Sequence, residues 1–172
     1  PRPKTDLDAA LRPDASIRYL QRDSTAFRVL ALEQNLFRDN TLMHHSIQSV
    51  TGYSPAKLKI YQEMYDSTLM RSVDGEFPLN VNVLAMLNTK YVISPSPLQL
   101  RNFRQANFDP QKKMFVYLHT RSLNRAWFVD TVVTEPSKTA IYARMNSADW
   151  RPNELAMLGE PAPPGVGRQD SS

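Results

Sequence analysis

Cysteine is absent from the sequence, which excludes disulfide frameworks, thiolate metal sites and cysteine nucleophiles. A cysteine-free chain tolerates reducing and oxidising surroundings alike, so the absence fixes no compartment. Glycine is scarce, 5 residues against 13 prolines, which implies stiff connections and few left-handed turns. These scattered glycines form neither a phosphate-cradling loop nor a Gly-x-Ser-x-Gly elbow. No apolar run approaches the ~18 residues expected of a membrane-crossing helix. The apolar-rich stretch 81–87 is short and interrupted by Asn82. The opening Pro-Arg-Pro-Lys-Thr-Asp has no apolar signal core; without an initiator methionine it is expected to be a cut boundary. No run of five or six Lys or Arg occurs, so the net charge of +4 and pI of about 9.4 give no polybasic arm and no reason to expect nucleic acid as a partner.

What is present suits one domain with loose ends. A chain of 172 residues can bury roughly 70% of the surface its unfolded form exposes. The expected organisation is a proline-rich linker over 1–13, a single α+β domain over 14–158 and a disordered tail over 159–172. Asp14 suits the N-cap of a helix over 15–22, with Ile17 and Leu20 on one face. Residues 27–32 read as a buried strand, 33–41 as a loop, and 42–50 as either strand or ordered loop. Ser54-Pro55 is a strong helix start, since proline at the first helical position has no N–H to leave orphaned. A four-turn amphipathic helix is expected from there, burying Leu58, Tyr61, Tyr65 and Leu69 and ending before Asp74-Gly75. Asn80 suits the cap of a second helix over 81–87. Strands are expected at 90–94, 114–118, 126–133 and from 153 to 158, and a helix over 136–145. Residues 95–111 carry few regular signals. The fold class is therefore α+β, a mixed or antiparallel sheet with helices packed on one face.

Chemistry-bearing motifs are thin. His44 and His45 are adjacent, and on a strand they would point to opposite faces. His119 is remote in sequence, so three zinc ligands do not assemble and no metal or other cofactor is expected. Glu63 and Asp66 fall on the polar side of the expected helix and read as a solvated face. Ser46, Ser49 and Ser54 read as cap and turn residues. Two places carry a functional reading beside a packing one. Gly52 allows a sharp turn that presents Tyr53 just ahead of the Ser54-Pro55 helix start, where unpaired N–H groups suit an anion. Arg125 could pair with a phosphate, and Trp127 could stack on a ring. Gly52, Tyr53, Ser54, Arg125 and Trp127 are thus the candidate ligand or partner contacts, and no catalytic residue is assigned.

Three strings resemble one family. Ser49-Val-Thr-Gly-Tyr-Ser-Pro-Ala-Lys-Leu-Lys-Ile-Tyr-Gln62, Leu87-Asn-Thr-Lys-Tyr-Val-Ile93 and Asn124-Arg-Ala-Trp-Phe-Val129 are similar, in this order, to segments of the YfhO-type bacterial membrane proteins. The strand-like Phe27-Arg-Val-Leu30 fits as well, and the likeness covers roughly 15–158. Thr51 departs from it, standing where that family usually has the first glycine of a pair. The resemblance implies a polytopic protein like the class C glycosyltransferases, which use polyprenyl-phosphate-linked sugars. Within it, this chain would match a soluble part on the extracytoplasmic face, separate from the acidic catalytic loop. The expected role is a non-catalytic accessory domain that docks on the parent's membrane helices and helps shape an acceptor or lipid-linked sugar site. The competing expectations are a self-contained protein-interaction module and a small carbohydrate-binding domain.

Overall fold

The computed structural model describes residues 12–32, 41–51, 58–73 and 79–161. These form a mixed α+β fold, with sheets and helices packed alongside them. The chain divides into two compact units, Pro1–Pro55 with Thr89–Arg121, and Ala56–Asn88 with Ser122–Ser172.

The first unit is built on a four-stranded sheet, order β1-β2-β4-β3. Its strands are β1 (Arg28–Ala31), β2 (Thr89–Ser94), β3 (Phe103–Asp109) and β4 (Met114–His119). β1 and β2 run parallel, and the other pairs are antiparallel. Helix α1 (Ala15–Leu20) starts at Asp14, whose carboxylate accepts from Ile17 N–H at 2.8 Å, and packs on β3 and β4. Ile17 and Leu20 there join Val29, Tyr91, Ile93 and Val116 in the core. The interior strand β2 is buried along nearly its whole length, and its middle, Tyr91-Val92-Ile93, is apolar on both faces.

β3 occupies a stretch that carries few regular signals in the sequence. It is the sheet edge, with exposed Arg104, Gln105 and Phe108 and a register shift between Gln105 and Asn107. A polar, bulged edge resists further pairing, and it shows no apolar alternation because much of it faces water. Asp109 ties it down: its carboxylate accepts from Ala15, Gln111 and Lys112 N–H groups at 2.9–3.1 Å. Burial works to raise this carboxyl's pKa, but those three backbone donors outweigh it and hold it below the usual range. The stretch 42–50 is neither alternative expected of it alone. A single turn, α2 (Thr41–His44), comes first and ends in a left-handed Ser46 with φ of 58°. Ile47 N–H closes that turn on Leu42 O at 2.8 Å, a Schellman arrangement. His44 and His45 therefore leave a helix end rather than a strand, with ring centroids 5.2 Å apart and edge to face.

In the second unit, helix α3 (Lys59–Met64) continues as a π-helical stretch, Tyr65–Leu69. The expected four-turn amphipathic helix is corrected here. Leu58 is the extended N-cap residue, 73% exposed, and α3 buries no side chain fully. The helix starts only at Lys59, so Leu58 lies outside it, and Tyr61 and Tyr65 are half-buried. Full burial falls on Thr68 and on Leu69, the one member of the expected stripe that is fully buried. The Ser54-Pro55 start and the Asp74-Gly75 stop lie outside the described residues. Helix α4 (Val81–Met86) begins as expected at Asn80, whose side chain accepts from Asn82 and Val83 N–H groups at 3.1 Å each. β5 (Thr131–Thr134), α5 (Lys138–Met145, capped by Ser137) and β6 (Leu155–Leu158) form a parallel strand pair with a helical crossover. The strand expected over 126–133 is thus confined to its last residues and one beyond. Arg125 and Ala126 form a bend and Trp127–Val129 adopt no regular structure, with Trp127 Nε1 donating to Pro152 O.

Candidate functional site

The second unit holds a cavity of about 410 Å³. Trp127, Trp150, Met86, Met145, Met157 and Pro152 are among its walls, and every residue lining it is apolar. Polar bonds brace the walls. Trp127 Nε1 donates to Pro152 O at 2.8 Å, and Trp150 Nε1 donates to Leu155 O at 3.4 Å. Asn82 Nδ2 donates to Trp150 O and Asn80 Nδ2 to Met145 O, both at 2.9 Å. Both asparagines are buried, and buried amides are held firmly where each polar atom finds a partner. Asn146 Nδ2 adds a bond to Ser67 O at 2.9 Å.

Of the residues singled out in the sequence, Trp127 lines this cavity, half-buried. Arg125 is exposed and precedes Ala126, a lining residue, without lining the cavity itself. Phe128 is fully exposed beside them. Gly52, Tyr53 and Ser54 lie outside the described residues. The Asn80–Asn82 pair and Trp150 went unrecognised in the sequence. The cap signal at Asn80 was legible, but nothing local shows that its amide reaches Met145, 65 residues on.

The Leu87–Ile93 string is largely committed to joining segments. Asn88 is left-handed, with φ of 58°, and its Nδ2 donates to Leu123 O at 2.8 Å. Lys90 forms an ion pair with Asp23, and Tyr91 Oη donates to the same carboxylate at 2.8 Å. Thr25 donates to it through both N–H and Oγ1. Burial opposes ionisation of Asp23, but Lys90, Thr25 and Tyr91 together hold its carboxyl well below the usual range. Burial and the neighbouring Asp23 push the Tyr91 hydroxyl up in turn, so it stays protonated and donating.

A second, smaller cavity of about 250 Å³ lies in the first unit, with Asp23, Thr25, His45 and Gln48 in its walls. His45 Nε2 is buried with no hydrogen-bond partner among the described residues. His119 is enclosed in the same unit, 1% exposed, its ring stacked on Phe103 at 4.8 Å and its Nδ1 3.1 Å from Thr89 O. Among the described residues no three His, Asp or Glu side chains come together as a metal site, and no helix is long and apolar enough to cross a membrane.

No protein-family model, curated protein or solved structure matches this chain.

Proposed function

We propose that the chain is a non-catalytic, extracytoplasmic accessory part of a YfhO-type, class C glycosyltransferase-like membrane protein. In this role it docks on the parent's membrane helices and helps shape the site for an acceptor or a polyprenyl-phosphate sugar. The observation that carries the reading is the ordered resemblance of the strings at 49–62, 87–93 and 124–129. The bonding of the described string residues supports it. Among the described string residues, Asn88, Lys90, Tyr91 and Trp127 hold other segments of the chain. String residues committed to scaffolding suit an accessory domain better than a catalytic one.

The test uses the complete reading frame that contains this chain. Because the chain has no cysteine, Asn153→Cys places one thiol in it at an exposed position. A membrane-impermeant maleimide is expected to label that thiol in intact cells, above the level of the parent without the substitution. Labelling only after lysis refutes the extracytoplasmic placement. The 172-residue chain alone is expected to turn over no polyprenyl-phosphate sugar; turnover abolished by one substitution within it refutes the non-catalytic role.

A further inference from the structure

We infer that the cavity of the second unit is a binding site for an uncharged hydrocarbon group. The space measures about 410 Å³, is partly open to solvent and is walled by apolar side chains, which an apolar ligand would remove from water. Such a volume falls within the roughly 300–1,000 Å³ of small-molecule pockets. It is also preorganised. Two indoles are pinned by their own N–H bonds to Pro152 O and Leu155 O, and buried Asn80 and Asn82 hold the Met145 and Trp150 backbone.

The same bonds decide the ligand chemistry. With both indole N–H groups already donating to backbone carbonyls, neither tryptophan can donate to a ligand. A sugar entering would give up hydrogen bonds to water and meet no polar side chain in return. A proline-rich peptide would sit in an aromatic-lined groove without those indole donors. A phosphate, carboxylate or ammonium would meet no opposite charge, since no charged residue lines the space. A hydrocarbon loses nothing on entry and gains removal from water. Met86, Met145 and Met157, from α4, α5 and β6, are unbranched and polarizable, and adapt to an irregular apolar shape. This inference stands independently of the membrane-protein assignment.

The chain's two tryptophans both line the cavity, so energy transfer from indole to N-phenyl-1-naphthylamine reports on it directly. The purified 172-residue chain is expected to bind this uncharged probe saturably, one to one, and to release it to 1-decanol. Ala156→Leu and Ala126→Leu each place a larger side chain among the lining residues. Each is expected to weaken probe binding at least tenfold. Phe128→Ser, at a fully exposed residue outside the lining, is expected to leave affinity unchanged. Excess 1-decanol should raise the melting temperature of the parent chain, as a ligand of the native state does, and that of the filled variants less. If one filled variant does not fold, the other carries the comparison. Unchanged affinity in a folded filled variant overturns the site, as does binding abolished by Phe128→Ser alone or a failure of decanol to displace the probe. Vesicles of phosphatidylcholine separate the sources. Displacement of the probe with co-sedimentation of the chain assigns the hydrocarbon to a bilayer, and displacement by decanol without vesicle binding assigns it to a free amphiphile.

Discussion

His119 makes the first unit sensitive to mild acid. Its ring is 1% exposed, lies against Phe103 and has Nδ1 3.1 Å from Thr89 O. Burial is the main cause that pushes its pKa down, to about 4; the Thr89 carbonyl opposes the shift and the charge of Arg121 adds to it. The folded chain therefore favours the neutral imidazole, with Nδ1–H donating to Thr89 O. In the unfolded chain the same group titrates near 6.5. A group whose folded value is lowered contributes stability in full above its unfolded value, and that stability is lost as pH falls towards the folded value. The window is thus about pH 6.5 down to about 4. Linkage over that interval gives a loss of about 2 kcal/mol by pH 5 and about 3 kcal/mol at its end. Asp23 and Asp109, whose carboxyls are held low, contribute stability above about pH 4 and lose it below, so they add little to the slope between pH 7 and 5. The assay is urea unfolding of the parent and His119→Gln at pH 7, 6 and 5. The variant is expected to be less stable at pH 7 and to show a flatter decline, with the difference between the proteins shrinking by about 2 kcal/mol at pH 5. Parallel declines would refute the buried neutral histidine.

Two further outcomes are expected from the same unfolding assay. Leu58→Ala should change stability by under about 0.5 kcal/mol, as exposed sites do, whereas Leu69→Ala, at a fully buried residue, should cost about 2–5 kcal/mol; equal effects would mean that the face assignment of this helix is wrong. Asn88→Ala should destabilise more than Asn88→Gly, by about 1 kcal/mol, because both lose the bond to Leu123 O while alanine alone bears the strain of a left-handed φ; a more stable alanine variant would refute that account.

Much of the local structure was legible in the residues. Asp14 and Asn80 each cap a helix through their own side chains, as their positions predict, and capping depends on residues only a few positions apart. The run from Tyr91 to Ile93 is apolar on both faces, so its strand was visible without its partners. The α+β class followed from these elements. Where the reasoning failed, the deciding interaction was long-range or a helix boundary lay elsewhere. Edge strand β3 owes its conformation to pairing with β4, since its exposed residues carry no alternation. The helix begins only after Leu58, which stands exposed as its extended N-cap residue, and it ends in a π-helical turn over Tyr65–Leu69.

The candidate site divides in the same way. Trp127 stood out by its residue type, and its string marked a place worth attention. Its role depends on Trp150, Pro152 and Met157, which sequence distance hides. Composition and spacing determined that this chain has no cysteine chemistry, no glycine-rich phosphate loop and a set of capped helices and apolar strands. Tertiary structure alone decided that Asn80 and Asn82 brace an apolar cavity, that Asn88 and Leu123 are bonded, and that Lys90 and Tyr91 converge on Asp23. The physical reason is that a cap or an apolar period is written in neighbouring residues, whereas a cavity wall or a buried polar bond exists only once distant segments have been brought within a few ångströms.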